Sequence, residues 1–429
     1  MSVFLFYHLL SRRQFVVSTS TSLFCVVPKF LRRKFAGVQQ PLGRWILRHV
    51  AEFIVLSPAI LVTWLWLKLL KKRVFFTGIG SSSISAFIQP LEPEIRRYSG
   101  IPFGLEKLII LNLSSDANHQ IRKMYDRVVT IYGSEAKWRR RLVWWATILG
   151  GLRLPKVDIL DAQNNQLWHT SLPVVGFTRS ETDMGESFLR SIGVNEGQKI
   201  VCYTTRTSSY YLGLQNSGVN LKPQNIRNPD EKVYLQVAKA LSERGYFVIR
   251  MGKDLDSKIP KEFESCIYDY ASLSRSDFLD AYLLFRCDFL LNGGTGIFIF
   301  RAIFNLPTLQ ADLYRILRNL YFGDIGLFQK VWSLNENRFL TVKEMVTMGD
   351  SFSDERHQER LGVRLVKNTA DEILAACNEM EARLNGTWVS ANEDEVLQEK
   401  YWRLICDSGH HGGRIGAQFL RENQDLLRE

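Results

Sequence analysis

From about Lys72 onward, strand-like and helix-like segments alternate along the chain, and this alternation most restricts the possible folds. Short apolar runs end in glycine or polar residues, and amphipathic stretches follow them. Such alternation builds parallel sheets with helices packed on their faces. Because the pattern occurs twice over a length suited to two domains, the sequence predicts an α/β chain with two Rossmann-like, doubly wound domains facing a cleft.

We predict four regions along the chain. Residues 1–72 form a basic, apolar, membrane-associated helical segment, and residues 73–185 form the first Rossmann-like domain. Residues 186–348 form the second such domain, and residues 349–429 form a helical tail that packs across both halves. Strands are expected at RVFFT, KLIILNL, KVDILDA, QKIVCYTTR, YFVIRMGK, CDFLL and LPTLQAD, the last of which ends at Asp312.

The positive charge of the chain is concentrated at its N-terminus. The net charge is +11, and residues 1–73 hold 12 of the 55 lysines and arginines but only one of the 44 acids, Glu52. The remainder has 43 cationic and 43 acidic residues and is therefore neutral. A nucleic-acid-binding body would carry a basic excess of its own, so the sequence argues against nucleic acid as a partner.

The apolar stretch VAEFIVLSPAILVTWLWLKLL has the composition of a membrane-binding segment. Between Glu52 and Lys68 lie 15 uncharged residues, fewer than the ~20 that cross a bilayer. Tryptophans suit the headgroup layer and cations suit anionic lipid. Interfacial or re-entrant insertion is the favoured interpretation, and a membrane span or a buried soluble helix are the alternatives. The residues that support membrane contact are Trp64, Trp66, Lys68, Lys71, Lys72 and Arg73.

A second stretch, KWRRRLVWWATILGGLRLP, begins at Lys137 and has the same combination of cations, tryptophans and apolar residues. It is either a second membrane contact or a core helix with a solvated basic end. The six cysteines show no paired spacing, which fits a reducing, cytosolic environment. The adjacent pair His410-His411 has no acidic or cysteine partner nearby, so no metal site is expected there.

Cations and glycines collect at the ends of three predicted strands in the second domain. Ligands of open α/β sheets bind at these carboxyl ends, and glycine loops and helix N-termini offer backbone amides to anions. The sequence therefore predicts a diphosphate-binding edge. The structural alternatives are an ion pair for Arg206, a solvated strand end for Arg250 and Lys253, and a tight turn for the glycine loop. The candidates are Arg206, Arg250, Gly252, Lys253, Gly293, Gly294, Thr295 and Gly296.

Two further pairs of polar residues lie beside this edge. Arg227 and Asn228 precede a predicted helix, where Asn228 is either a helix cap or a ligand contact. Arg275 and Asp277 begin another helix, where they are either a cap with a surface ion pair or part of the site.

Taken in order, the motifs VCYTTRTSSYYL, IRNPD, GYFVIRMGK, RSDFLDAYL, LNGGTGI, FLTVKEM and RIGAQFLRENQDLL resemble bacterial surface-polysaccharide glycosyltransferases of GT-B type. The strand that contains Arg206 is similar to the phosphate-binding strand of fucosyltransferase-like members. In the first domain, TGIGSSSISAFIQPLEPEIRRY also resembles a family segment. The resemblance runs from about residue 73 to the C-terminus.

The resemblance implies transfer of a sugar from a nucleotide-sugar donor, held by the C-terminal half, to a glycan or lipid-linked acceptor held by the N-terminal half. It implies that the nucleotide sugar is a substrate, with no metal and no other cofactor. It places the donor site at the candidates named above, and an acceptor-side loop at Gly78, Gly80 and Ser81. The expected location is the cytoplasmic face of the inner membrane.

The chain departs from the family pattern at the positions of two histidines. Thr204 stands two residues before Arg206, where the family commonly has histidine, and Ser81 replaces a histidine that commonly follows Gly80. Thr207 stands where an acid commonly follows the arginine. The catalytic residues are therefore unknown; Glu181, Asp183 and His119 are weak candidates for the base. A catalytically inactive glycan-binding or assembly subunit and a nucleotide-sugar epimerase of the same architecture are the alternative functions.

Overall fold

In the computed structural model a long helix, α1 (Leu42–Leu69), precedes the first described strand, and Pro58 lies inside it. Within it, His49–Leu69 is long and apolar enough to cross a membrane. Contacts along the chain separate a unit that ends at Ile60 from a unit that extends from Leu61 to Glu429. The structure describes residues 42–77, 84–112, 116–133, 135–149, 167–168, 170–209, 228–253, 255, 258–316, 320–321, 323–349, 355–405 and 413–428.

The first predicted domain contains a parallel sheet of three described strands in the order β1-β2-β3. The strands are β1 (Arg73–Thr77), β2 (Leu108–Asn112) and β3 (Thr130–Tyr132). All five residues of β2 are buried, as expected for a strand with helices on both faces. The predicted strand KVDILDA lies outside the described residues.

A sheet of seven described strands has the order β13-β9-β8-β7-β4-β5-β6, and every neighbouring pair in it is parallel. Six of these strands lie in the second predicted domain, and β13 lies in the region predicted as a helical tail. The α/β class and the parallel sheets are therefore confirmed. The arrangement as two separate domains stays a prediction, since residues 61–429 form one compact unit. The strands are β4 (Ile200–Thr205), β5 (Phe247–Met251), β6 (Ile267–Tyr268), β7 (Phe289–Gly293), β8 (Thr308–Leu313), β9 (Ile325–Phe328) and β13 (Arg414–Ile415).

Helices connect and cover these strands. Those of the N-terminal half are α2 (Ile84–Ser99), α3 (His119–Asp126) and α4 (Lys137–Leu149). Those that follow are α5 (Arg179–Ser191), α6 (Glu231–Glu243), α7 (Tyr270–Leu273), α8 (Asp277–Arg286), α9 (Ile299–Ile303), α10 (Val342–Met348), α11 (Glu355–Leu361), α12 (Ala370–Leu384), α13 (Asn392–Leu404) and α14 (Ala417–Glu422).

Local capping chemistry explains where several of these helices begin. Thr178 and Glu181 form a reciprocal capping box at the start of α5. Ser276 caps α8 through the amide of Leu279. The cap of α6 is Asp230, which accepts from Lys232, so Asn228 is not the helix cap.

The predicted end of the strands at Asp312 was wrong. β9 and β13 extend the large sheet beyond that point, and a separate antiparallel sheet has the order β11-β10-β12. Its strands are β10 (Lys330–Ser333), β11 (Arg338–Phe339) and β12 (Val363–Val366). These strands have only two to four residues, too few for a periodic pattern to distinguish them from turns.

One hydrophobic core is shared by the two halves. Phe75, Ile88 and Ile110 of the N-terminal half belong to the same buried cluster as Ile249 and Phe298 of the C-terminal half. Helix α2 lies against α9, and α3 lies against α8. Since burial of apolar surface stabilises such contacts, the halves are packed together rather than joined by a polar linker alone.

Arg96 of α2 makes several hydrogen bonds across this junction. Its buried guanidinium pairs with Glu92 at 2.8 Å and donates to the carbonyls of Ala302 and Ile303, the last residues of α9. It also donates to Asn305 Oδ1 at 2.7 Å. An arginine of the N-terminal half thus caps the C-terminus of a helix in the other half.

Candidate functional site

The carboxyl ends of β4, β5 and β7 lie side by side at one edge of the large sheet. Thr204 pairs with Met251 of β5, and Thr205 pairs with Gly293 of β7. Immediately beyond, the backbone N–H of Arg206 donates to the carbonyl of Gly293 at 3.2 Å. The structure therefore brings Arg206 and the glycine loop together, as the sequence predicts.

The glycine loop is held in shape by its first residue. Asn292 Oδ1 accepts from both the amide and the hydroxyl of Thr295, at 3.2 and 2.7 Å. The hydroxyl hydrogen of Thr295 is therefore used within the loop rather than directed outward. Gly294 has φ +76°, a conformation that side-chain-bearing residues rarely adopt.

Gly293 has a packing role in the same loop. A Cβ at this position would lie 2.9 Å from the ring of Tyr234 and 3.0 Å from Pro229. After the loop come one 3₁₀ turn, Gly296–Phe298, and the five-residue helix α9. Because the helix dipole builds up with length, this short helix adds little to the attraction of an anion.

Arg250 lies inside the structure rather than on the edge. Its side chain is 1% exposed and pairs with Glu231 at the start of α6 and with Asp269 after β6, the latter at 3.5 Å. Two carboxylates thus offset its charge. Sequence analysis missed both acids; Glu231 follows directly after the NPD turn, but Asp269 has no local signal that links it to β5.

The remaining residues of the predicted edge differ in exposure. Gly252, with φ +148°, directly follows β5, and a Cβ there would lie 2.7 Å from the side chain of Leu255. Lys253 is exposed just beyond it. Asn228 Nδ2 donates to Ser208 Oγ at 2.9 Å, which joins the segment before α6 to the segment after Arg206. Arg227 lies outside the described residues.

Arg275 and Asp277 lie at the junction between the two halves. Arg275 pairs with the buried Asp280 at 2.7 Å. The carboxylate of Asp277 accepts from the backbone N–H of His119 at 2.8 Å, and its carbonyl accepts from Asn118 Nδ2 at 2.9 Å. The start of α8 is thereby joined to the start of α3.

The three candidate bases have different surroundings. Glu181 is buried and pairs with Arg127 and Lys123. Burial acts to raise its pKa, but bonds from Arg127 and three other donors outweigh that effect and hold the pKa of Glu181 well below its usual range. Asp183 is exposed on α5, and His119 is exposed at the junction of the halves. A carboxylate with so low a pKa is a poor proton acceptor, so Glu181 is an anchor rather than a base.

The acceptor-side residues Gly78, Gly80 and Ser81 lie outside the described residues. Among the described residues, no group of three or more histidines, cysteines or acids is arranged to hold a metal ion.

Comparison with solved structures gives the E. coli ADP-heptose LPS heptosyltransferase II at 11% identity and a TM-score of 0.36, over 56% of this chain and 83% of that chain. It also gives a glycosyl transferase family 9 structure from Veillonella parvula DSM 2008 at 13% identity and a TM-score of 0.28, over 55% and 66% of the two chains. Both scores are too low to support a statement about this chain. No family model and no curated protein matches it.

Proposed function

We propose that this chain is a metal-independent glycosyltransferase of GT-B type that acts in the synthesis of cell-surface polysaccharide. It transfers a sugar from a nucleotide-sugar donor to a glycan or lipid-linked acceptor. The observation that carries the proposal is the bond from Arg206 N–H to Gly293 O. That bond joins an arginine to a glycine loop at neighbouring strand ends, in an order of motifs that resembles this family.

The diphosphate of the donor is proposed to bind between Arg206 and residues 294–296, with Lys253 at the next strand end. Arginine binds phosphate oxygens through paired N–H donors. The amides of Gly294 and Gly296 supply further donors, whereas the amide of Thr295 donates to Asn292. Arg250 has a different role in this proposal. Because Glu231 and Asp269 offset its charge, it positions the ends of β5 and β6 instead of binding phosphate.

The proposed reaction places developing negative charge where these cations lie. The acceptor hydroxyl oxygen attacks the anomeric carbon, the bond from that carbon to the β-phosphate oxygen breaks, and the nucleoside diphosphate leaves with the electron pair. The hydroxyl proton passes to a base of the protein. Fixed donors at the leaving phosphate stabilise this transition state, and of the candidate bases His119 lies exposed at the junction of the halves.

The acceptor is proposed to bind the N-terminal half, at the loop that contains Gly78, Gly80 and Ser81. Association with the cytoplasmic face of the inner membrane is supported by the apolar helix α1, whose described side chains, from His49 onward, include a majority of exposed large apolar residues. A version lacking residues 1–72 should glycosylate lipid-linked acceptor in vesicles less well than the full chain. Equal activity of the two versions would contradict a role of this segment in acceptor delivery.

A non-catalytic glycan-binding or assembly subunit is the second candidate. The observation that favours it concerns the general base. Glu181, one of the three candidates, is held in ion pairs with Lys123 and Arg127 and is therefore unsuited to accept a proton. This alternative predicts nucleotide binding without turnover.

Incubating the full chain with nucleotide sugars and membrane lipid extract separates the two candidates. A transferase releases nucleoside diphosphate only when both substrates are present, and Arg206→Ala abolishes the release. Lys261→Ala changes an exposed cation away from the edge and serves as the control. Binding of nucleotide with no release under any substrate pair would favour the non-catalytic subunit.

A further inference from the structure

The first turn of α4 exposes two cations and a tryptophan. We call Lys137, Trp138 and Arg139 the basic turn. Trp138 is 63% exposed, and the Arg139 guanidinium lies 5.0 Å from its ring centroid. The first turn of α4 contains no acid, so its cations lie at the positive end of the helix dipole. This arrangement is electrostatically unfavourable in isolation and favourable beside an anionic surface.

The basic turn lies at the carboxyl edge of the small sheet. The next residue, Arg140, donates from Nη1 to the carbonyl of Asn112, the last residue of β2, at 2.9 Å. The acid that precedes the helix, Glu135, pairs at 3.2 Å with Arg122, whose side chain is 9% exposed. Glu135 itself is 60% exposed, so two exposed cations stand beside one exposed carboxylate and the net charge of this surface is positive.

A second exposed surface lies at the other end of β2. At the end of α1, Lys68 lies 4.9 Å from the ring centroid of Trp64. Lys72 donates from Nζ to the carbonyl of Glu106, two residues before β2. A five-residue strand is roughly 15 Å long, which sets the spacing of the two surfaces along β2. The exposed apolar side chains of this part of α1 and of the residue after it are Leu61, Val62, Leu65, Trp66, Leu69 and Leu70.

We propose that the basic turn is a second membrane contact, which binds the headgroups of an anionic bilayer while the end of α1 inserts beside it. Tryptophan favours the headgroup layer, and cations near the surface are attracted to anionic lipid. The contact holds the carboxyl edge of the small sheet at the bilayer. Resting on the proposed function, it follows that the acceptor is itself membrane-anchored, with its reacting group close to the headgroups.

A photo-crosslinking experiment tests this contact. The full chain is synthesised cell-free in the presence of vesicles of phosphatidylcholine, with or without phosphatidylglycerol, and carries p-benzoylphenylalanine in place of Trp138. We expect a lipid adduct in the anionic vesicles that falls at high salt. Val389, which is 87% exposed in the C-terminal region, is the matched control position and should give no adduct.

Flotation of charge variants gives a second readout. The double variant Lys137→Gln/Arg139→Gln should weaken partitioning into anionic vesicles by roughly 30-fold, which corresponds to about 1 kcal/mol per cation. The control Lys258→Gln/Lys261→Gln removes two exposed cations from the other half and should leave partitioning unchanged. Vesicle flotation without an adduct at position 138 would mean that α1 alone binds lipid, and would overturn the proposal. Equal adduct formation at positions 138 and 389 would overturn it as well.

A soluble anion is the competing occupant, and titration with inorganic pyrophosphate without vesicles tests it. Binding of pyrophosphate that the double variant abolishes, together with no lipid adduct, would assign the turn to a soluble ligand. Nucleotide binding is measured on the same variants and should be unchanged. A chain that binds no nucleotide but forms the adduct would refute the proposed function and leave the membrane contact standing.

Discussion

At the scale of single residues, Arg250 shows why a cation at a strand end need not be a ligand contact. Its side chain points into the structure and pairs with Glu231 and Asp269. The sequence contains the cation and its strand, so the edge could be predicted. The two acids come from other segments, and only the folded chain shows that they offset the charge of Arg250.

Replacement of Arg250 by methionine should therefore reduce stability. The change leaves two carboxylates without their buried partner, and losing one member of such a pair costs about 3–5 kcal/mol. Urea unfolding monitored by circular dichroism measures the loss. Lys253→Met, at an exposed position of the same edge, is the control and should stay within about 0.5 kcal/mol of wild type. Equal, small effects of both changes would contradict the structural role of Arg250.

Asp280 makes a pH-dependent contribution to the stability of the folded chain. Burial raises its pKa to about 6, against the opposing effect of Arg275. A carboxyl whose pKa is higher in the folded state binds its proton more tightly there. Its contribution to stability is therefore complete below about pH 4, the unfolded value, and is lost as the pH rises through about 6.

Wild type should accordingly lose stability relative to Asp280→Asn between about pH 4 and pH 6.5. Urea unfolding of both proteins at several pH values gives this difference, and Asp183→Asn, at an exposed site, is the control. If wild type instead gained stability relative to Asp280→Asn as the pH rose, folding would lower the pKa of Asp280.

At the scale of elements, the strands formed by the apolar runs of the sequence were predictable. Four to six buried residues in succession are typical of a strand in a parallel sheet. The short strands after Asp312 were not predictable, since two to four residues are too few for a periodic pattern, and β12 and β13 pair with strands that are distant in sequence. A helix follows the glycine loop, but a 3₁₀ turn precedes its five residues.

The glycine loop gives a prediction at this scale. Gly294→Ala places a side chain at φ +76°, which costs roughly 1–2 kcal/mol, and it should weaken nucleotide binding by distorting the loop. Gly176→Ala, where a Cβ would meet nothing within 4 Å, is the control and should be neutral. Thermal unfolding and nucleotide titration of both variants provide the test. Wild-type binding by a stable Gly294→Ala protein would mean that the loop does not contact the ligand.

At the scale of the whole molecule, Arg96 connects the two halves. Its bonds to Glu92 and to the end of α9 are buried. No local pattern in the sequence shows that an arginine of α2 caps a helix about 200 residues later in the chain. Sequence analysis predicted two domains but could not show how closely they pack.

Arg96→Met should destabilise the chain by about 3–5 kcal/mol, because it leaves the buried charge of Glu92 uncompensated. The double variant Glu92→Gln/Arg96→Met also removes the charge of Glu92. Its loss of unfolding free energy should be smaller than the sum of the losses in the two single variants. Unfolding should remain one transition in wild type, reported alike by tryptophan fluorescence and circular dichroism. Strictly additive losses would mean that the pair does not act as a unit.

The central claim is that the edge formed by Arg206 and the glycine loop binds a nucleoside diphosphate. Calorimetric titration of the full chain with UDP, GDP, CMP and dTDP, without metal, tests it most directly. We predict that one nucleotide binds and that Arg206→Ala weakens binding by at least about 1.5 kcal/mol, the value of a charged hydrogen bond. The Lys261→Ala control should bind as wild type does. Folded protein that binds none of the four, or an Arg206→Ala variant that binds as tightly as wild type, would contradict the claim.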